Sequence, residues 1–583
     1  MLQHGVQMID ATSARFALWA PDARSVTLKI ERQPVIELLP VDGEDGWYSG
    51  LAPCQAGDRY RFVIDDDLEI ADPASRYQPE GVHGPSQVVD LGDYQWQHDW
   101  QGRPWHEAVI QELHVGVLGG YEGLAARLAQ LADLGISAIE LMPVNAFPGE
   151  RNWGYDGVLP YAPQHSYGSP HELCALVDKA HGHGLMVMLD VVYNHFGPDG
   201  NFLHAYASPF FREDRQTPWG AAIDFRRPEV REYFIQNALM WICDYHIDGL
   251  RLDAVHAIND PSFLVELAER VRKTVAPGRQ VWLVLENEHN QAFLLDKGID
   301  AQWNDDGHNA LHVLLTGEVQ GYYEDYKDAP IEKLARCLGE GFVFQGQLNR
   351  HGEPRGEPSG HLQPASFVLF LQNHDQIGNR AFGERLTRLC PPEALRAATT
   401  LLLLSPMIPL LFMGDESGSR QPFLFFTDFH DELADAVREG RRGEFASFAA
   451  FAEPEQRERI PDPNAASTFE ASHPGEDLEQ AKAWQALYRQ LLSLRREQVI
   501  PALPGTRPLG AKVLGKKAVS ARWRLGNGQI LRIDLNLGDE ALPVDLPTRE
   551  HWLFDSAESG HTDTELAPRS CVASLISPSQ EAQ

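Results

Sequence analysis

Leu185-Met186-Val187-Met188-Leu189-Asp190-Val191-Val192-Tyr193-Asn194-His195 decides how this chain is read. An apolar run too short for a helix ends in a cluster of polar side chains, and amphipathic helical patterns lie on either side of it, at 171–181 and 228–245. Working outward, similar runs recur at 109–115, 138–144, 249–255, 281–285, 299–303, 366–371 and 408–413. Further helical patterns lie between them, at 123–134, 261–275 and 393–404, and Pro228 and Pro261 stand where a helix accepts proline, in its first turn. Eight apolar runs alternating with helices predict an α/β fold, a (β/α)8 TIM barrel; an open doubly wound sheet is the alternative. The Gly/Pro-rich stretch 145–170 and the stretch 416–469 read as insertions on that frame.

The flanks have another texture. Short β-type runs at 16–19, 25–30 and 60–64, separated by polar turns, predict an N-terminal β-sandwich domain over 1–95. A Gln/Trp/His/Pro-rich linker, 95–105, leads into the barrel, expected over 105–500. Beyond a helix at 483–496, runs at 518–524, 530–537 and 551–554 predict a small C-terminal β-domain over 501–583.

Composition narrows the function. Asp plus Glu number 83 against 50 Lys plus Arg, a formal charge of −33, so the chain lacks the basic face that nucleic acid or an anionic membrane requires. A neutral substrate suits it. The six cysteines are scattered without zinc-type spacing, so neither disulfides nor a zinc site is expected. No metal and no cofactor are expected. The N-terminus lacks a signal-peptide pattern, and the longest apolar stretch, 398–413, is short of the roughly 20 residues of a membrane helix. A cytoplasmic protein is expected.

In a barrel of this kind, chemistry gathers at the C-terminal ends of the strands. The third run ends in Asn194-His195, the fourth in Arg251-Leu252-Asp253, the fifth in Glu286 and the seventh in Asn373-His374-Asp375. Arg251 and Asp253, two apart on a strand, share a face, and the arginine keeps the carboxylate ionised as a nucleophile requires. A carboxyl at the mouth of an apolar strand, Glu286, is a candidate proton donor, with Glu288 two residues on as its rival. Three carboxylates at three strand ends are the set that glycoside cleavage needs.

These residues, Asp190-Val191-Val192-Tyr193-Asn194-His195, Gly249-Leu250-Arg251-Leu252-Asp253, Glu286 and Asn373-His374-Asp375, resemble the four signature regions of the α-amylase (glycoside hydrolase 13) family, in order. The resemblance implies Asp253 as nucleophile, Glu286 as general acid/base and Asp375 as transition-state stabiliser. It also implies that His195, Arg251 and His374 hold the sugar at the cleavage point, with Tyr155 as the aromatic platform beneath it. Within the family, 147–158, 285–290, 374–380 and 422–428 are similar to the branch that cuts the α-1,4 bond beside the terminal trehalose of maltooligosyl trehalose. That implies a functional partner, the synthase that makes this substrate. Departures agree with that branch: His256-Ala257 follows the nucleophile where α-amylases carry Lys-His, and Gln376 stands where branching enzymes carry Glu. A branching or debranching enzyme of the same family is the alternative, and a glucan-binding relative without catalysis a third. Loop aromatics Trp153, Trp219, Trp303, Tyr322, Tyr323 and Phe425 are candidates to line the sugar groove.

Overall fold

A computed structural model describes residues 3–217, 219–475, 478–557 and 564–577. At its centre eight parallel strands close into a barrel: β1 (Ile110–Leu113), β2 (Ala138–Leu141), β3 (Met186–Val191), β4 (Gly249–Leu252), β5 (Trp282–Leu285), β6 (Ala301–Trp303), β7 (Phe367–Phe370) and β8 (Ile408–Phe412), with β8 pairing back to β1. Each lies inside one of the eight apolar runs, and closure removes the alternative of an open sheet. Their side chains alternate between two environments, as the pleat requires. Met186 and Met188 pack in the barrel interior with Ile110, Ala138, Trp282 and Val284, whereas Val187 and Leu189 join the core beneath the surrounding helices. The next inward positions, one layer above this apolar filling, are Glu112, Glu140, Asp190, Arg251 and Glu286.

The helices follow from their caps. The helix Pro170–Gly182 begins with a capping box in which Ser169 and Glu172 satisfy each other's backbone N–H groups, with proline in the first turn. Arg495, fully buried, donates to the carbonyls of Leu403, Ser405 and Met407 at 2.7–3.0 Å. It thereby ties the end of the helix Pro392–Leu404 to the start of β8, satisfying orphan carbonyls that a buried helix end would otherwise strand.

The N-terminal strands form an antiparallel path in which Ile36–Pro40 crosses from one sheet to the other, and Phe16 meets Tyr60 between the two at 5.1 Å. This domain is bonded to the barrel helix Pro228–Cys243 and its end: the Tyr233 hydroxyl donates to the Pro73 carbonyl, and Arg76 pairs with Asp244 at 2.8 Å. The segment read as a linker does more than connect. Trp100 packs against the barrel interior from below and donates its indole N–H to Asp248, which also accepts from His181 and the Val187 N–H. The C-terminal sheet is antiparallel, in the order Arg507–Gly515, Ala518–Arg524, Ile530–Asn536, Ser570–Ile576, Trp552–Asp555. Residues 558–563 and 578–583 of the expected C-terminal domain lie outside the described residues. Among the described residues no helix is long and apolar enough to cross a membrane.

Candidate active site

The site is organised by one guanidinium. Arg251 is Asp190's register partner across β3 and β4, and its Nη1 donates to both Asp190 oxygens at 2.8 and 2.9 Å. The same Nη1 donates to Asp253 Oδ1 at 2.6 Å, while Nη2 reaches Glu286 Oε2 at 2.9 Å. The guanidinium carbon of Arg251 lies 4.1 Å from the Trp303 ring centre, a cation–π contact beneath the fork. Directly after the strand, Ala254 takes the left-handed region, φ 39°, and its N–H donates to Glu286 Oε2 at 2.8 Å. Asn194 closes the other side, its amide donating to the Asp253 carboxylate and main-chain carbonyl, both at 2.9 Å.

Two carboxyls on one guanidinium are driven in opposite directions. Burial would raise the Asp253 carboxyl, but Arg251, the Asn194 amide and His195 outweigh it and hold it below the ordinary carboxylate value. Burial lifts Glu286 well above its ordinary value, reinforced by the charges of Asp253, Asp305 and Asp375 and opposed by Arg251. The charged form is thus favoured at Asp253 and the protonated form at Glu286, side by side on one guanidinium. Glu288 does not share this position. The strand ends at Leu285, so the alternation that would align it with Glu286 stops, and its side chain is 67% exposed against 25% for Glu286.

Asp375 lies in the short helix His374–Gly378 after β7, capped by Asn373, whose side chain accepts from the N–H of Asp375 and Gln376. Asn379 donates to its carboxylate at 2.5 Å. Burial raises its pKa, against the pull of His374 and Arg251. Asp375 and Glu286 line one open cleft with Asp305, Tyr322, Arg355 and His256. Burial and the neighbouring Asp375 lift Asp305 to about 7 against Arg355.

The remaining expected site residues converge here. Tyr155 donates its hydroxyl to Asp190 at 2.6 Å and stacks on the His374 ring at 5.0 Å. It is delivered by Gly154, whose φ of +105° no side chain favours and where a Cβ would lie 2.2 Å from the Pro143 carbonyl oxygen. His195 faces oxygen acceptors with both nitrogens, the Tyr155 carbonyl at 3.0 Å and the Asn194 amide oxygen. Burial keeps its pKa below the ordinary value, so a neutral ring donates through one nitrogen at a time. Its face is covered by Trp219 at 5.1 Å. The candidate groove aromatics divide. Trp219 and Tyr322 are exposed at 47% and 64%, while Trp303 is buried beneath Arg251 and Trp153 is buried against His374. Tyr323 stacks on His312 and Phe425 packs edge-on against Trp153.

Two buried carboxyls escaped the sequence reading. Glu112 and Glu140 are register partners on β1 and β2, each two residues beyond an inward apolar side chain, Ile110 and Ala138; that period-two spacing was the available signal. Neither Glu140 oxygen has a hydrogen-bond partner in the structure, and burial, then Glu112 and Asp190, raises its pKa well above 4.5. Raised in the fold, this carboxyl costs stability as pH climbs above the unfolded-state value, because the unfolded chain releases the proton first. Glu140→Gln is therefore expected to gain stability over the parent between pH 4.5 and 8, by at most about 1.4 kcal/mol per pH unit. Urea titrations at both pH values measure it; equal differences would show the carboxyl to be charged. Among the described residues no three His, Cys, Asp or Glu side chains group to hold a metal ion.

Comparison with known proteins adds the family. The family model for the alpha amylase catalytic domain matches residues 95–219, and one described as a domain of unknown function (DUF3459) matches 507–573. The malto-oligosyltrehalose trehalohydrolase of Rhizobium sp. (strain M-11) is 39% identical over 598 residues, 96% of this chain and 97% of that one. That of Saccharolobus solfataricus is 42% identical over 455 residues, covering 75% and 79%. The chain belongs to the malto-oligosyltrehalose trehalohydrolase family. A 1.4 Å crystal structure of a Salmonella typhimurium protein described as an alpha amylase superposes on 98% of this family member and 99% of that chain, with a TM-score of 0.92 at 42% identity.

Proposed function

We propose that this protein is a retaining glycoside hydrolase that cuts the α-1,4-glucosidic bond beside the terminal trehalose of maltooligosyl trehalose, releasing trehalose and a maltooligosaccharide. The observation that carries the mechanism is the shared guanidinium: adjacent nitrogens of Arg251 hold Asp253 and Glu286. A fork of that size keeps the two carboxyls close, in keeping with the separation of about 5–5.5 Å in retaining enzymes. Asp253, held ionised, attacks the anomeric carbon. Glu286, held protonated, gives its proton to the departing glycosidic oxygen of the trehalose unit. The covalent glycosyl ester is then opened by water, which passes a proton back to Glu286 as the Asp253 carboxylate leaves. Asp375, across the same cleft, stabilises the positive ring passed through in both steps. Tyr155 and His374, stacked together, with Arg251 and His195, form the seat for the sugar that is attacked.

The choice of bond rests on the names of the relatives and on the motifs at 147–158, 285–290 and 374–380. The substrate comes from a synthase acting on maltooligosaccharides. Six dispersed cysteines, all free, suit a reducing cytoplasm. Incubation with maltooligosyl trehalose followed by chromatography tests the reading. Free trehalose is expected, with the new reducing end appearing first as the α-anomer. Glucose or maltose without trehalose would defeat it, and a shift of the amylose–iodine stain without new reducing ends would make the enzyme a transferase.

A further inference from the structure

We propose that Glu112 is the positioning residue for His374, fixing which face and which ring nitrogen of that histidine meet the sugar; this rests on the functional reading above. The geometry is specific. From the first barrel strand, Glu112 Oε1 lies 2.5 Å from His374 Nδ1, and Oε2 accepts the main-chain N–H of the same residue at 2.9 Å. One carboxylate therefore holds both the ring and the backbone from which it springs. The imidazole cannot rotate about its side-chain bonds without giving up the first contact, and the capped helix His374–Gly378 cannot shift without giving up the second. The ring is further held between two aromatics, stacked on Tyr155 at 5.0 Å and edge-on to Trp153 at 5.4 Å.

With Nδ1 committed, Nε2 remains as the ring nitrogen for the sugar, and its state follows from what surrounds it. Glu112 and His114 approach from β1 and its end, Asp190 from β3, Arg251 from β4, Tyr155 from the long loop after β2, and Asp375 from its own helix. Burial and Arg251 act against a charged ring, Glu112 and Asp375 in favour of it, and the balance raises His374 above the ordinary histidine value. The charged form of the ring is favoured, and its Nε2–H donates to a sugar hydroxyl oxygen; a hydrogen bond from a charged donor is the stronger kind. Glu112 touches no substrate. It acts through the ring it holds, as a carboxylate does behind any imidazole whose tautomer and orientation matter.

Glu112→Gln keeps the side chain's shape and removes its charge. The expected result is a loss of about 10- to 100-fold in kcat/KM for trehalose release at pH 7. A double-mutant cycle separates positioning from bulk structure: once His374→Asn is in place, adding Glu112→Gln should cost little more. Losses that multiply would overturn the proposal. An arm independent of activity is nitrogen-15 histidine NMR, with His374 assigned through the His374→Asn variant. In the parent, Nδ1 of His374 should stay protonated across the neutral range, which needs no Glu112 variant to fold; an unprotonated Nδ1 would overturn the proposal. The ring's titration midpoint should fall in Glu112→Gln, and an unchanged midpoint would also overturn it. If the parent released no trehalose, the functional reading would fail, while the NMR arm would still decide the pairing.

Discussion

Asp253→Asn is expected to lower kcat on maltooligosyl trehalose by on the order of 10⁴–10⁶-fold, the scale of losing a covalent nucleophile. The substitution is nearly isosteric, and Arg251 keeps Asp190 and Glu286 as partners, so the barrel should remain folded. A modest stability cost is expected at neutral pH. The parent carboxylate is held below its ordinary pKa, so the stability it contributes is present above the unfolded value near 3.8 and is lost as pH falls through the folded one. Parent and variant melting curves should therefore converge in acid. Stopped assays of trehalose release with circular dichroism melts read both effects. A folded variant retaining more than about a hundredth of parental turnover would remove Asp253 from the nucleophile's role.

Glu286→Gln is the second large effect. The general acid is lost, and kcat should fall by about 10²–10⁴-fold. The pH dependence carries the sign. Activity needs Asp253 ionised and Glu286 protonated, so the acid limb belongs to the group held low and the basic limb to the group held high. The glutamine variant should lose the basic limb and keep the acid one. A substrate such as α-maltosyl fluoride, whose leaving group needs no proton, should restore the first step. Azide, which attacks without a general base, should restore the second and yield the glycosyl azide. A fully active variant would shift the role to Glu288, which the structure places at the cleft rim with His256 4.0 Å away.

How much of this was legible beforehand follows from periodicity. All eight barrel strands fall inside runs that could be marked by apolarity, because strands covered on both faces are built mostly from apolar side chains. The strand-end carboxylates were legible because a polar residue closing such a run is conspicuous. Glu112 and Glu140 were not, since each sits inside its run instead of closing it, Glu112 beside Gln111, and only the inward phase set by Ile110 and Ala138 marks them. The same phase assigns Trp303 to the barrel interior instead of the sugar groove. In the C-terminal sheet, Arg507–Gly515 went unread because Pro508 and Gly510 speak against a strand; it stands at the sheet's edge, where both are tolerated. Trp100, in a stretch whose composition suggests a tether, closes the barrel floor through a bond to Asp248, a contact 148 positions away that no local pattern encodes.

The Arg251 fork has a consequence for how such an enzyme fails on heating. Its three carboxylate partners hang from three adjacent staves of one cylinder, with no independently hinged piece between them. Thermal inactivation and collapse of the cylinder should then be a single cooperative event, unlike enzymes whose chemistry sits on a flap that loosens first. Residual activity along a temperature ramp would report the fraction of intact barrels.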